Sequence, residues 1–344
     1  MANSSSAITK TAVLLVKSLS PRNRDIISRR FGLKTGKKET LESIGQGYGI
    51  TRERVRQIEE FSLGQLAKAA PSVSDVAKYV SLAKEILNGN GSVMRESEMF
   101  KAFSGNDKEN VVNSSLVFIL TVAGEPARFG ENDLFHSFWS LDKQHADSFK
   151  ESSSKLVSAL GKDKKPLSES ELAALAEKSS VNTRDLNVFL TVSKQLGRNV
   201  FGEIGLVSWA EVKPKGVRDK AYLVLKREKE PKHFSDIAKL INVTGFSARK
   251  ANVQTVHNEL IKDQRFVLVG RGMYGLSEWG YKPGTVKEVL VDILRTSSKP
   301  LIKADLIAKV LGSRMVKENT ILLNLQDSKV FSKREDGTYI LRKA

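Results

Sequence analysis

The chain contains no cysteine, which excludes disulfide frameworks, cysteine-ligated zinc or iron–sulfur sites and cysteine nucleophiles. Histidine is nearly as scarce. Its four occurrences, His136, His145, His233 and His257, include no pair at the three- or four-residue spacing that puts two imidazoles on one helix face. No apolar run approaches the roughly 20 residues of a membrane span, and Met1–Lys10 lacks the basic-then-apolar order of a secretory signal. Aromatic residues amount to only 7%, although an apolar fraction of 40% suffices for buried cores. No serine lies in a nucleophile elbow and no glycine-rich loop carries a phosphate-binding lysine. Scattered carboxylates such as Glu96 and Glu98 read as a solvated face. These absences predict a soluble, cytoplasmic, non-enzymatic protein with no catalytic residues, cofactor, metal or membrane partner.

What is present in excess is positive charge. Of 344 residues, 56 are lysine or arginine against 39 aspartate or glutamate, a formal charge of +17. Such a balance favours polyanionic partners, nucleic acid first. The excess is not spread evenly. Residues 1–70 hold 13 basic and 6 acidic side chains, 71–160 hold 9 and 12, 161–212 hold 7 and 7, 213–284 hold 15 and 7, and 285–344 hold 12 and 7. Two basic ends flank an acidic-to-neutral middle, which suggests two polyanion-contacting regions joined by a spacer or protein-binding segment.

Two markers suggest an internal repeat. Trp139, Trp209 and Trp279 stand 70 residues apart, and Pro166, Pro231 and Pro300 are each followed by an acidic–aliphatic pair, Glu171–Leu172, Asp236–Ile237 and Asp305–Leu306. The unit at 71–141 has the tryptophan without the proline and reads as degenerate. The clearest unit, 213–282, shows a helical pattern over Val217–Lys229, then a short extended piece at Pro231–Phe234. Ser235 would cap a second helix, and a third would run from about Ser247 to Lys262. The stretch Arg265–Trp279 alternates about a glycine turn as a β-hairpin does. Its Gly270-Arg-Gly-Met-Tyr-Gly275 run has the spacing of a dinucleotide loop, but a strand rather than a helix follows, so a tight turn is expected. The final unit, 285–344, repeats the plan with helices at Val286–Leu294, Lys303–Val310 and Glu318–Leu325. Three helices closed by a ribbon is the winged-helix plan. The unit at 142–212 places its third helix at Thr183–Leu196 with only Arg184 and Lys194 as bases, which reads as structural.

Residues 40–66 carry the strongest local pattern. Thr40 can cap a short helix with Leu41 and Ile44, Gly45, Gly47 and Gly49 permit a turn, and Thr51 can cap a second helix. At about 100° per residue, Arg52, Arg56, Glu53 and Gln57 share one side of this helix, while Val55 and Ile58 share the other. Arginine can pair bidentately with guanine, glutamine with adenine, and glutamate can accept from cytosine. All four lie in the first two turns, the part of a recognition helix that enters the major groove. A solvated polar face is the alternative on these grounds alone.

The 213–282 unit resembles the winged-helix module of the HARE-HTH family, which includes the delta subunit of bacterial RNA polymerase, through Ala221, Leu225, His233-Phe234, Ile237 and the Arg265–Trp279 segment. That resemblance implies a binding module associated with nucleic acid or polymerase. The strings Leu19–Leu33, Thr40–Gly45 and Ile50–Glu59 are similar, nearly residue for residue, to region 4 of the sigma-70 family of transcription initiation factors. This implies recognition of a minus-35-type promoter element and contact with RNA polymerase. On the matching positions, it assigns base reading to Arg52, Glu53 and Gln57 and phosphate or base contact to Arg56. It turns Arg54 toward the flank and Arg29 and Arg30 toward the DNA backbone or polymerase. The promoter-melting region of a complete sigma factor has no counterpart in this sequence.

The sequence therefore predicts a mainly α chain. A helix-turn-helix domain (1–70) should precede tandem winged-helix domains with short hairpin wings at 71–141, 142–212, 213–282 and 285–344. The function it suggests is sequence-specific binding of double-stranded DNA in transcription, in the cytoplasm at the nucleoid. The alternatives are a polymerase accessory acting through protein contacts and a DNA-modification-sensing defence module.

Overall fold

The computed structural model describes residues 2–182, 186–297 and 299–342, with side chains from Ala7 onward. The chain divides into two compact units, residues 1–198 with 202–207, and residues 199–201 with 208–344. The fold is mostly helical with small antiparallel sheets.

The first unit opens with four helices, α1 (Ala2–Val16), α2 (Pro21–Phe31), α3 (Leu41–Tyr48) and α4 (Arg52–Ala69). Ser20 caps α2, with Pro21 at its first position, where the missing N–H costs no hydrogen bond. Then come α5 (Ser74–Asn88), β1 (Val93–Arg95), α6 (Glu96–Ser104), α7 (Val111–Ala123), β2 (Ala127–Phe129) and β3 (Phe138–Ser140). The next module has α8 (Lys143–Asp163), α9 (Glu169–Lys178), α10 (Leu186–Val192), β4 (Leu196–Arg198) and β5 (Ile204–Leu206). In the second unit, α11 (Val217–Glu228), β6 (Lys232–His233), α12 (Phe234–Thr244), α13 (Val253–Lys262), β7 (Phe266–Gly270) and β8 (Met273–Leu276) form one module. The last consists of α14 (Val286–Thr296), β9 (Leu301–Ile302), α15 (Lys303–Ser313), α16 (Glu318–Leu325), β10 (Phe331–Lys333) and β11 (Thr338–Leu341).

Every module after α4 runs helix, short strand, helix, helix, hairpin, and in each three-stranded sheet the last strand lies between the other two. In the 142–212 module the first strand is reduced to the bridge from Leu167 to Ile204. The segment at 71–141, expected to be degenerate, has the complete arrangement.

Register shows which marker tracks the repeat. Met94 pairs with Trp139, Leu167 with Ile204, Lys232 with Tyr274 and Leu301 with Tyr339. Pro166, Pro231 and Pro300 each directly precede the first-strand member of these pairs, with Val93 standing in the first module. Met99, Leu172, Ile237 and Leu306, each five residues beyond that member, are all fully buried. The tryptophans do not align. Trp139 sits in the central strand, whereas Trp209 and Trp279 lie five residues beyond the equivalent positions Ile204 and Tyr274. The spacing from Trp139 to Trp209 is a coincidence.

The third helix of the 213–282 module starts at Val253 rather than Ser247. Asn242 holds the intervening loop open, its side chain donating to the Ala251 carbonyl (3.1 Å) and accepting from the Ala251 N–H (2.7 Å), and Asn252 caps the helix. His233, not Ser235, caps α12, its ring nitrogen accepting from the Ser235 N–H. The glycine run at 270–275 is the β7–β8 turn and the strand that follows it. Thr183 and Arg184, anticipated at the start of the third helix of the 142–212 module, lie outside the described residues.

The expected boundary near residue 70 falls within one continuous core. Ile8, Ala12 and Leu15 of α1, Ile27 and Phe31 of α2 and Leu66 of α4 pack with Val76, Tyr79 and Ala83 of α5 and with Leu116–Leu120 of α7. The Phe31 and Phe118 rings meet edge-on at 5.2 Å. Helix α7 is apolar on every side over Leu116–Leu120, and all of Asn113–Leu120 is buried, because one face packs on its own module and the opposite face on the N-terminal helices. Each fully buried large apolar side chain in such a core contributes about 1.5–3 kcal/mol. The loop between α2 and α3 seals the contact. Gly36 has φ +77°, and a Cβ there would lie 2.8 Å from the Asn110 Cα, so only glycine fits.

Polar groups reinforce this seam. Arg128 donates to Glu96 from Nε (2.5 Å) and Nη2 (2.9 Å), and Lys38 stands 3.7 Å from the same carboxylate. Glu96 is thus buried and paired, not part of a solvated face; Glu98 is exposed. Burial raises the proton affinity of Glu96, but the Arg128 hydrogen bonds and the Arg128 and Lys38 charges outweigh it and hold the carboxyl below its ordinary value.

Candidate nucleic-acid interface

Helices α3 and α4 form a helix-turn-helix around a small core of Ile26, Ile44 and Val55, all fully buried, with Leu41, Tyr48, Ile50 and Ile58 against it. Thr40 caps α3 by accepting from the Ser43 N–H, and Thr51 caps α4 by accepting from the Arg54 N–H at 3.2 Å. Gly49 takes φ +65° at the end of α3, and the Ile50 N–H donates to the Gly45 carbonyl at 3.0 Å. A Cβ on Gly45 would lie 2.6 Å from the Ile50 carbonyl oxygen, so the turn closes only over a glycine.

Helix α4 is divided along its length. Toward its end, Leu66 enters the shared core. In its first two turns only Val55 is buried, while Arg52, Glu53, Arg54, Arg56 and Gln57 are exposed along with the cap Thr51. Among the described residues no other part of the first unit covers these side chains. Arg52 has no hydrogen-bond or ion-pair partner among the described residues. Arg54 Nη1 donates to Gln57 Oε1 at 3.0 Å. Arg56 donates to Glu53 from Nε (3.1 and 3.0 Å) and Nη2 (2.7 Å), and to Glu60 from Nη1. Hydrogen bonding to Arg56 holds the Glu53 carboxyl below its usual range. The pairing is all within one helix surface, which stays exposed to solvent.

Arg29 and Arg30, which the resemblance turns toward the DNA backbone or polymerase, form ion pairs within the domain. Arg29 donates to Glu39 from Nε (3.0 Å) and Nη2 (2.7 Å), and its guanidinium lies 5.9 Å from the Tyr48 ring centre. Arg30 donates from Nε to both Glu59 oxygens (3.2 and 3.1 Å) and from Nη1 to the Glu39 carbonyl (3.1 Å). Both guanidinium groups are half-buried. They tie α2 to the loop before α3 and to the middle of α4, which makes them positioning groups. Tyr48 adds a hydrogen bond from its hydroxyl to Asp25 at 2.8 Å. Sequence reasoning missed Glu39, Glu59 and Glu60. Only Glu60 carried a readable signal, because it stands four residues beyond Arg56 on one helix face.

The third helices of the later modules differ in access. Helix α7 is covered by the N-terminal helices. Helix α10 and the residues after it lie against the β2–β3 connection, with the His136 N–H donating to the Val192 carbonyl and Lys194 Nζ donating to Asn132 and pairing with Glu131 at 2.6 Å. Lys194 is therefore a structural residue beyond the helix end. Helix α13 exposes Gln254, Thr255 and Asn258, and α16 exposes Asn319, Thr320 and Leu323. Among the described residues no group of three or more acidic or histidine side chains could hold a metal ion, and no helix is long and apolar enough to cross a membrane.

Comparison with known proteins places the similarity on this motif. Residues 15–68 match the family described as Sigma-70, region 4. A stretch of 52 residues is 52% identical to RNA polymerase sigma factor SigA of Nostoc sp., covering 15% of this chain and 13% of that protein. A stretch of 56 residues is 45% identical to RNA polymerase principal sigma factor HrdD of Streptomyces coelicolor, covering 16% and 17%. The match thus spans less than a fifth of either relative's length.

Proposed function

We propose that this protein is a non-enzymatic, sequence-specific DNA-binding transcription regulator that works with RNA polymerase. It would read a minus-35-type element through Arg52, Glu53 and Gln57, with Arg56 on a base or phosphate and Arg54 at the flank. The observation that carries this reading is the uncovered N-terminal half of α4, which displays those side chains in a segment matching sigma-70 region 4. The relatives' names supply the polymerase partner. We propose that the chain acts at the nucleoid in the cytoplasm. We further propose that the modules after α4 are winged helices. The two in the second unit, with their basic surplus and exposed third helices, supply an additional contact to DNA or polymerase, and tethering raises the avidity of two weak contacts.

The test is a binding series on a duplex selected from a random pool and on its scrambled counterpart. Arg52→Ala or Gln57→Ala should cost roughly 1–3 kcal/mol on the selected duplex and little on the scrambled one. Unchanged discrimination in both variants contradicts the assignment. Retention on purified polymerase at salt that strips DNA would favour a role carried mainly by protein contacts.

A further inference from the structure

We infer that Glu60 is an internal competitor for DNA phosphate, and that it sets how much of the binding comes from base edges rather than from backbone charge. This rests on the DNA-reading role of α4 proposed above. Arg56 lies between two carboxylates, with Nε and Nη2 on Glu53 and Nη1 on Glu60. Every nitrogen of its fork is therefore engaged, and the cluster of one guanidinium and two carboxylates carries a net negative charge. All three side chains are exposed, at 46% for Arg56, 56% for Glu53 and 64% for Glu60. Glu59, one residue earlier, is turned inward to Arg30 and takes no part. Glu53 has a second use as an acceptor for a base amino group. Glu60 lies a full turn farther from the N-terminal base-reading residues, so its effect falls on Arg56. A phosphate approaching Arg56 must displace the Glu60 carboxylate from Nη1 and also meets its negative charge. Binding that depends on backbone charge alone bears this cost in full, whereas the correct sequence adds the contacts of Arg52, Glu53 and Gln57.

The experiment uses the full chain with Glu60→Gln, Arg56→Ala and the double variant, on the selected duplex and its scrambled counterpart across a salt series. Glu60→Gln removes charge from an exposed position and leaves the fold intact. It should tighten binding to both duplexes by roughly twofold at moderate salt, the worth of an exposed pair four residues apart, and by more at low salt. The slope of log affinity against log salt should steepen by about 0.9, one additional phosphate contact. The scrambled duplex should gain more than the selected one, so discrimination falls. In the Arg56→Ala background most of the gain should vanish. If the wild-type chain discriminates between duplexes while Glu60→Gln leaves affinity and slope unchanged, or tightens binding equally without Arg56, this inference fails and the reading of α4 stands. If the wild-type chain binds neither duplex, both fail.

Discussion

Replacing Phe118 by alanine should unfold the helix-turn-helix together with the module that follows it. Phe118 is fully buried in α7, and its ring meets Phe31 of α2 edge-on. Truncating a buried phenylalanine costs about 3–5 kcal/mol, of which the ring–ring contact supplies about 0.5–1.5 kcal/mol. The core that loses this side chain runs from Ile8 to Trp139, so the loss is shared over one cooperative block. A block of that size should melt lower by on the order of 10–20 °C. Trp139 lies in the same core and reports on it once Trp209→Phe and Trp279→Phe silence the other indoles. The assay follows Trp139 fluorescence and duplex binding through one thermal ramp, with and without the substitution. Both midpoints should fall together. A fluorescence midpoint that drops while duplex binding survives to its original temperature would show an independent helix-turn-helix, and the shared-core argument would be refuted.

Two further outcomes are expected. Arg30→Ala should cost about 1–3 kcal/mol of stability, limited by the partial exposure of its pair with Glu59, and should leave the preferred base sequence unchanged; a flattened salt slope at unchanged stability would instead place Arg30 on a phosphate. For Glu96, the depressed folded-state proton affinity means its contribution is complete above about pH 4.5, its ordinary value, and is lost as pH falls through the lower folded value. The stability gap between wild type and Glu96→Gln, measured by urea denaturation, should therefore narrow from neutral pH to about pH 3, and a gap that is constant or widens in acid would contradict the pairing with Arg128 and Lys38.

What could be read from the sequence was what local chemistry encodes. Thr40, Gly49 and Thr51 act within a turn or two of themselves, and the helix-turn-helix is bounded by them. The proline marker also held, because a residue next to the first strand and a buried aliphatic five positions after its pairing residue are fixed by one short segment. The tryptophans misled because equal spacing does not require equal place in a sheet. Glu96 was misread because its partners are remote in sequence, with Arg128 in β2 and Lys38 in the loop before α3. The same distance hid the bond from Arg30 to Glu59. Helix α7 was the readable signal that went unused. Its run Leu116–Leu120 is apolar on all sides and must be covered on all sides, and its own module covers only part of it.

Selecting bound duplexes from a random pool with the wild-type chain and with Gln57→Ala, and comparing the recovered sequences, decides whether α4 reads bases. The wild type should show a defined preference, and the variant should lose it at one base pair with its neighbours retained. Identical preferences in the two pools, or none in either, would contradict base reading by α4.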